Sequence, residues 1–330
     1  MTKTLDGQPV ATGHRLLALP AHRAAQALAP LRTALLALLF ITSTTAMALD
    51  LTALWNFKDP AASEARFRAE MAQAAAHGRS DDALVLRTQI ARSHSLRRDY
   101  AQARRELAAM EPQLARASAE VQVRHQLELG RSWASAAHKA EEVDDTARAS
   151  ARSAFMKAWQ QAKAARLDAL AIDTIHMLVF VDSAPADQLK WNREALAVVL
   201  ASDQPDAQRW QASVRNNLGM ALHGLQRYDE ALAEFQRAVA LREAQAGEDA
   251  MRGTPPEPVR VARWMVAWTL RTMGRNDEAL AMQLQLEQDG DAAGEPDPYV
   301  FEELETLYRA LGNTARAEHY AARRKAAQGS

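Results

Sequence analysis

The chain has 330 residues, 48% apolar and 25% charged, with a formal charge of -1; it is too long and apolar to be disordered, and it lacks the dense basic face that would make nucleic acid a main partner. Only 6% is aromatic and alanine is abundant, which suits closely packed helices rather than a β-sandwich. The absence of cysteine excludes disulfides, thiolate metal sites, thiol nucleophiles and a lipid-modified N-terminal cysteine.

Residues 1–48 read as an extension with three possible meanings. The apolar run ALLALLFI at 34–41 follows Arg15, Arg23 and Arg32 and precedes Ala46-Met47-Ala48, the order of a secretory signal cleaved after Ala48. Its charged lead is long for such a signal, at about 30 residues. Met47 stands directly before LDLTALWNF, so a second reading starts translation there. A third takes the uncharged stretch 33–49 as a membrane anchor, near the lower limit of about 17 residues for a spanning helix. The three imply a periplasmic or secreted, a cytoplasmic and a membrane-anchored protein respectively; a membrane is a partner only under the third.

Residues 49–330 read as a single helical domain whose first part, 49–79, is a cap. Leu51, Leu54, Trp55 and Phe57 are expected to pack on the first repeat, followed by a helix over 61–77 that Asp59 or Ser63 can cap, with Pro60 at a permitted early position. ALVLRTQIARSHS at 83–95 and RDYAQARREL at 98–107 predict the first helix pair. The second combines LELGRSW at 127–133 with Ala151, Phe155 and Ala158, across a long turn containing EEVDD. Its acidic pairs, Glu141-Glu142 and Asp144-Asp145, read as solvated charge. The third joins DALAIDTIHMLVFV at 168–181 to Ala195 and Val199, with SAPADQ as the turn.

The fourth pair is the most specific. In WQASVRNNLGMALHGLQRYDEALAEFQRAVALRE at 210–243, Leu218, Gly219 and Leu222 share one helix face, and Tyr228, Ala231, Phe235 and Ala238 recur at the three- and four-residue spacing of a second helix. Gly219 and Ala231 let the two backbones approach. The pattern resembles the tetratricopeptide repeat, in which Leu-Gly, Tyr, Ala, Phe and Ala mark these positions of a 34-residue unit. Earlier, Tyr100, Ala103 and Leu107 fall over Tyr228, Ala231 and Phe235; later, GRNDEALAMQ at 274–283 and GNTARAEHYA at 312–321 align through Ala279 and Ala317 without the large aromatic. Helices are expected to end in the Gly-, Pro- and Asp-rich stretches 246–259 and 289–299.

The resemblance implies an all-α, right-handed superhelical solenoid of tetratricopeptide-like helix-turn-helix repeats, in which first helices line a concave groove. Counting from Ala212 places Ser213, Asn216, Asn217 and Met220 in that groove, and counting back from Ala279 adds Val261, Trp264, Met265 and Trp268. Tyr299, Glu302 and Glu303 come from the last repeat, Asp173 and His176 from the middle. Asparagine amides can donate to and accept from a peptide backbone, and tryptophan is a frequent binding anchor. A chaperone-tail clamp is disfavoured, because Val261, Met265 and Asn216 occupy places where it needs cations or a second asparagine. The nine histidines show no metal-binding pair, and neither a phosphate loop nor a Gly-x-Ser-x-Gly motif occurs. The expected function is a non-enzymatic scaffold, without cofactor or metal, that binds a protein or peptide. An exported or membrane-tethered envelope assembly factor is the alternative, and an unrecognised helical enzyme the remote one.

Overall fold

The computed structural model describes residues 49–328 apart from 248, 249 and 252. The signal, start-site and anchor readings of residues 1–48 lie outside these residues. Among the described residues there is no strand, and helices pack as consecutive antiparallel neighbours in an all-α repeat solenoid.

At the start, α1 (Leu51–Leu54) is capped by Asp50, whose carboxylate accepts from the Thr52 amide at 3.0 Å. Asp59 caps α2 (Pro60–Ala76) through the Ala62 amide at 2.9 Å, with Pro60 as the first helical residue, where its missing N–H costs nothing. Trp55 sets its edge against Phe67, ring centres 4.9 Å apart, and its indole N–H donates to Gln89 of α3 (Ser80–Leu96) at 3.1 Å. Leu51 and Leu54 join the same cluster, whereas Phe57 stacks on Trp55 and remains 62% exposed.

The six pairs follow. α3 packs on α4 (Tyr100–Ala108), and α6 (Ala119–Arg131) on α7 (Asp145–Ala164). Next come α8 (Asp168–Val181) with α9 (Pro185–Ala201), and α11 (Gln211–Gly224) with α12 (Tyr228–Ala246). The last two are α13 (Glu257–Thr272) with α14 (Asn276–Ala292), and α15 (Pro298–Ala310) with α16 (Thr314–Gln328). Single-turn helices α5 (Glu111–Leu114) and α10 (Pro205–Gln208), like α1, carry too little periodicity to stand out in the sequence.

Where small residues meet large ones, the pairs lock. The Phe235 ring lies so close to Gly219 that a Cβ there would sit 2.6 Å from Cε1, and Gly130 meets the Phe155 ring more tightly still. Both rings are fully buried. In α14 the corresponding large position is Gln283, also fully buried, and its amide nitrogen and oxygen have no hydrogen-bond partner among the described residues.

One turn recurs throughout. Between α2 and α3, α3 and α4, α7 and α8, α11 and α12, α13 and α14, and α15 and α16, the middle residue of a three-residue link has positive φ: Gly78, Arg98, Arg166, Gln226, Gly274 and Gly312. The next amide bonds back to the carbonyl five residues earlier, as from Arg79 to Ala74 at 2.8 Å, Arg227 to Leu222 at 3.0 Å and Asn313 to Tyr308 at 2.8 Å. Three of these positions lack glycine despite a left-handed cost of about 1–2 kcal/mol for other residues.

Several boundaries differ from the sequence reading. Expected as a loop from 289, the chain instead stays helical through Ala292 and turns at Gly294, whose positive φ brings the Glu295 amide back to the Gly290 carbonyl at 2.9 Å, while the absence of a Cβ on Gly290 leaves room for the Glu295 carbonyl. Pro258 and Pro298 lie in first helical turns rather than in loops, as does Pro185, which shortens the turn expected at 183–188. The acidic run before α7 is also structural: Glu142 pairs with Arg98, and Asp144 caps α7 by accepting from the Ala147 amide at 2.7 Å. This connection is pinned to α4, where Tyr100 donates to the Ala137 carbonyl at 2.8 Å and stacks on His138.

Candidate functional site

Side chains of α8, α11, α13 and α15, first helices of successive pairs, together with α3 and α6 towards the N-terminal repeats, bound three adjoining cavities. The central one, about 410 Å³, is lined by His176, Trp210, Ser213, Asn216, Asn217 and Val261, with Arg242 of α12 at its side. Asn217 donates through Nδ2 to Nδ1 of His176 at 3.1 Å, and its carbonyl accepts from the Asn192 side chain at 3.3 Å. Burial holds the His176 imidazole below its ordinary range against the pull of Asp173, in keeping with a neutral acceptor. Asn216 has no side-chain hydrogen bond among the described residues and is half-buried at the cavity wall. Arg242 donates to Ser213 at 2.7 Å and to Gln245 at 3.1 Å.

Towards the N-terminal repeats, a second cavity of about 260 Å³ shares His176 and Trp210 with the first and is bounded by Arg92, Arg131, Asp173 and Phe180. Its floor is a buried ion network. Arg131 donates to Glu128 at 2.6 Å and to Asp173 at 2.5 Å, and Arg92 approaches Glu128 at 3.6 Å. Burial alone would lower the Arg131 pKa, but Asp173 and Glu128 outweigh it and hold it above the ordinary arginine value. Burial likewise pushes Asp173 up, while Arg131 and Arg92 more than offset it and keep the carboxyl below its usual range. Asp173 is therefore committed to Arg131.

On the other side, the third cavity, about 440 Å³, lies between α13 and the link from α14 to α15. It shares Glu257 and Val261 with the central cavity and adds Trp264, Asp297 and Tyr299. Trp264 and Tyr299 meet edge to face, centroids 6.4 Å apart at 72°. Val261 is 43% exposed and Tyr299 65%, apolar surface that water would otherwise cover.

The expected residues therefore divide. Ser213, Asn216, Asn217, Val261, Trp264 and Tyr299 line cavities. Trp268 instead lies in a column of rings: it stacks on His223 at 3.6 Å and on Trp264 at 5.9 Å, and His223 meets Tyr228 edge-on at 4.9 Å. Burial, with Arg271 nearby, lowers the His223 pKa. Met220 is 41% exposed but lines none of the three cavities described above. Met265 packs against the core between the fourth and fifth pairs. Glu302 is exposed, with Arg324 at 3.9 Å, whereas Glu303 is buried and accepts from Arg271 at 2.6 and 2.9 Å. Sequence reasoning did not reach His223, Trp210 and Arg242: counting along first helices skips a residue beyond the groove positions, one in the preceding link and one on a second helix. Among the described residues, no three His, Asp or Glu side chains converge as a metal site, and no helix is long and apolar enough to cross a membrane.

Residues 211–249, covering α11 and α12, match the family model described as tetratricopeptide repeat. The chain is also similar to BtubC (BKLC) from P. vanneervenii in its crystal structure, at 14% identity over 83% of this chain and 92% of that one, with a TM-score of 0.40. No curated protein matches. Residues 211–249 are thus similar to a tetratricopeptide repeat, and stacked repeats of this kind present extended surfaces to protein partners.

Proposed function

We propose that this protein is a non-enzymatic scaffold that holds a peptide segment or helix of a partner along the cavities between α8 and α15. The observation that carries this reading is that Asn216, Asn217 and Val261, drawn from two different repeats, wall one cavity, which shares residues with a neighbour on either side. The unbonded Asn216 amide offers a donor and an acceptor to an extended backbone, while Val261, Trp264 and Tyr299 offer apolar contact. Met220 and Glu302 extend the surface along the exposed edge, and Trp268 supports Trp264 from behind through its stack.

The test is crosslinking capture from native cells with the full chain, compared with the Asn216→Ala, Tyr299→Ala double variant. These two side chains leave the core intact, whereas truncating Trp264 and Trp268 would remove a packed ring column as well as a surface. Partners recovered with the native chain and lost with the variant support the groove. An unchanged set of partners from a folded variant refutes it.

Compartment follows from residues 1–48. N-terminal sequencing that begins at Met47 or Ala48 in a cytosolic fraction supports the cytoplasmic scaffold. A start at Leu49 in a periplasmic fraction supports the envelope assembly factor.

A further inference from the structure

We infer that the cavity between α13 and the α14–α15 link receives a basic side chain, lysine or arginine, of the bound peptide; this rests on the groove reading above. Two observations carry it. The first is charge. Glu257, Glu295 and Asp297 line the cavity against one cation, Arg260, which is bonded to Glu295 and to the Pro255 carbonyl. Glu257 and Asp297 have no basic partner among the described residues, so two carboxylates are left uncompensated where the third is neutralised. Among the described residues the Asp297 carboxylate accepts only from the Tyr299 amide, at 2.8 Å, as the cap of α15.

The second observation is the wall opposite. Trp264 and Tyr299 stand at 72° to each other, and the Tyr299 ring is 65% exposed. The exposed Tyr299 ring lines this space, and an aromatic face there attracts a cation. Aromatic faces alone would accept any apolar side chain, and carboxylates alone would be a solvated acidic edge. Together around one space of about 440 Å³ they select a group with an apolar stem and a positive tip. The central cavity differs: besides the shared Glu257 it holds the guanidinium of Arg242, which has no acidic partner among the described residues, so a ligand lying across both would be read for charge at two points.

The test selects random peptides displayed on phage against the full chain, then measures the winners by fluorescence anisotropy with the native chain and with Asn216→Ala, Glu257→Gln, Asp297→Asn, Tyr299→Ala and Tyr299→Phe. Asparagine is as good a helix cap as aspartate, so Asp297→Asn removes charge while keeping α15 capped. Expected are peptides with a basic residue at a fixed position, binding about fivefold more weakly to each charge variant and to Tyr299→Ala. Binding should be retained by Tyr299→Phe and should weaken with salt. Peptides that need Asn216 yet lack a basic residue, or ignore both charge variants, overturn this inference and leave the groove standing. If none of the selected peptides depends on Asn216 or Tyr299, both readings fall.

Discussion

Replacing Gly219 by alanine sets two known effects against each other. Alanine is the better helix former, by about 1 kcal/mol in an unstrained interior. Here the added methyl would lie 2.6, 2.7 and 2.9 Å from three carbons of the Phe235 ring, where carbon atoms rest about 3.5–4.0 Å apart. That ring is fully buried between α11 and α12 and cannot swing into solvent. An overpacked core costs about 1–3 kcal/mol, and contact with three ring carbons at once places this case at the upper end. The net expectation is a loss of about 2 kcal/mol, read as a lower urea midpoint by circular dichroism with an unchanged slope. The cause can be isolated: in a Phe235→Leu background the ring is gone, and Gly219→Ala should become neutral or stabilising by up to about 1 kcal/mol. A Gly219→Ala variant as stable as the native chain, or equally destabilised with and without the ring, would refute the reasoning.

Other expectations test other parts of the molecule. Arg131→Ala removes the hydrogen-bonded cation of the buried Glu128 and the partly buried Asp173, leaving them only Arg92, and should cost about 3 kcal/mol, whereas Arg209→Ala, which removes an exposed pair with Asp206, should stay within about 1 kcal/mol in the same denaturation assay. Gln283→Leu replaces an amide whose two polar atoms are buried without partners and should raise stability by about 1–3 kcal/mol, checked by calorimetry. Burial lowers the pKa of His125, His176 and His223 from 6.5, so the unfolded chain takes up protons first. Stability should be full above pH 6.5 and decline as pH falls below it, with a further decline below 3.8 as the lowered Asp173 carboxyl protonates; a flat profile from pH 7 to about 5 would contradict the first step.

Local pattern was legible where side chains meet neighbours close in sequence. Leu218, Gly219, Ala231 and Phe235 announced the fourth pair because a hairpin interface is written at a period of three to four on both its helices, and Asp59 with Pro60 announced the start of α2. Features that depend on distant partners were not legible. Arg131 reads as an ordinary charged residue at a helix end until Glu128 and Asp173 are placed beside it. The stretch 289–299 read as a helix stop from its first residue, and only the return of the Glu295 amide to the Gly290 carbonyl places the turn at Gly294. In the candidate groove, positions counted along first helices found the Asn216, Val261 and Tyr299 surfaces, but counting could not separate a tryptophan that lines a cavity from one held between other rings in a stack.

The repeated three-residue turn has a consequence for how such a chain can change length. Arg98, Arg166 and Gln226 adopt the same left-handed conformation as Gly78, Gly274 and Gly312, each followed by the same backward hydrogen bond. The joint between helices is thus specified by the backbone and tolerates different residues. A segment running from one such turn to the next, such as α12 with α13 or α14 with α15, can in that case be duplicated or excised in frame with its joints still compatible, and natural or engineered relatives can gain or lose such units without redesign of the links. Compatibility must then be sought where the two joined helices face each other, as where Gly219 of α11 leaves room for Phe235 of α12.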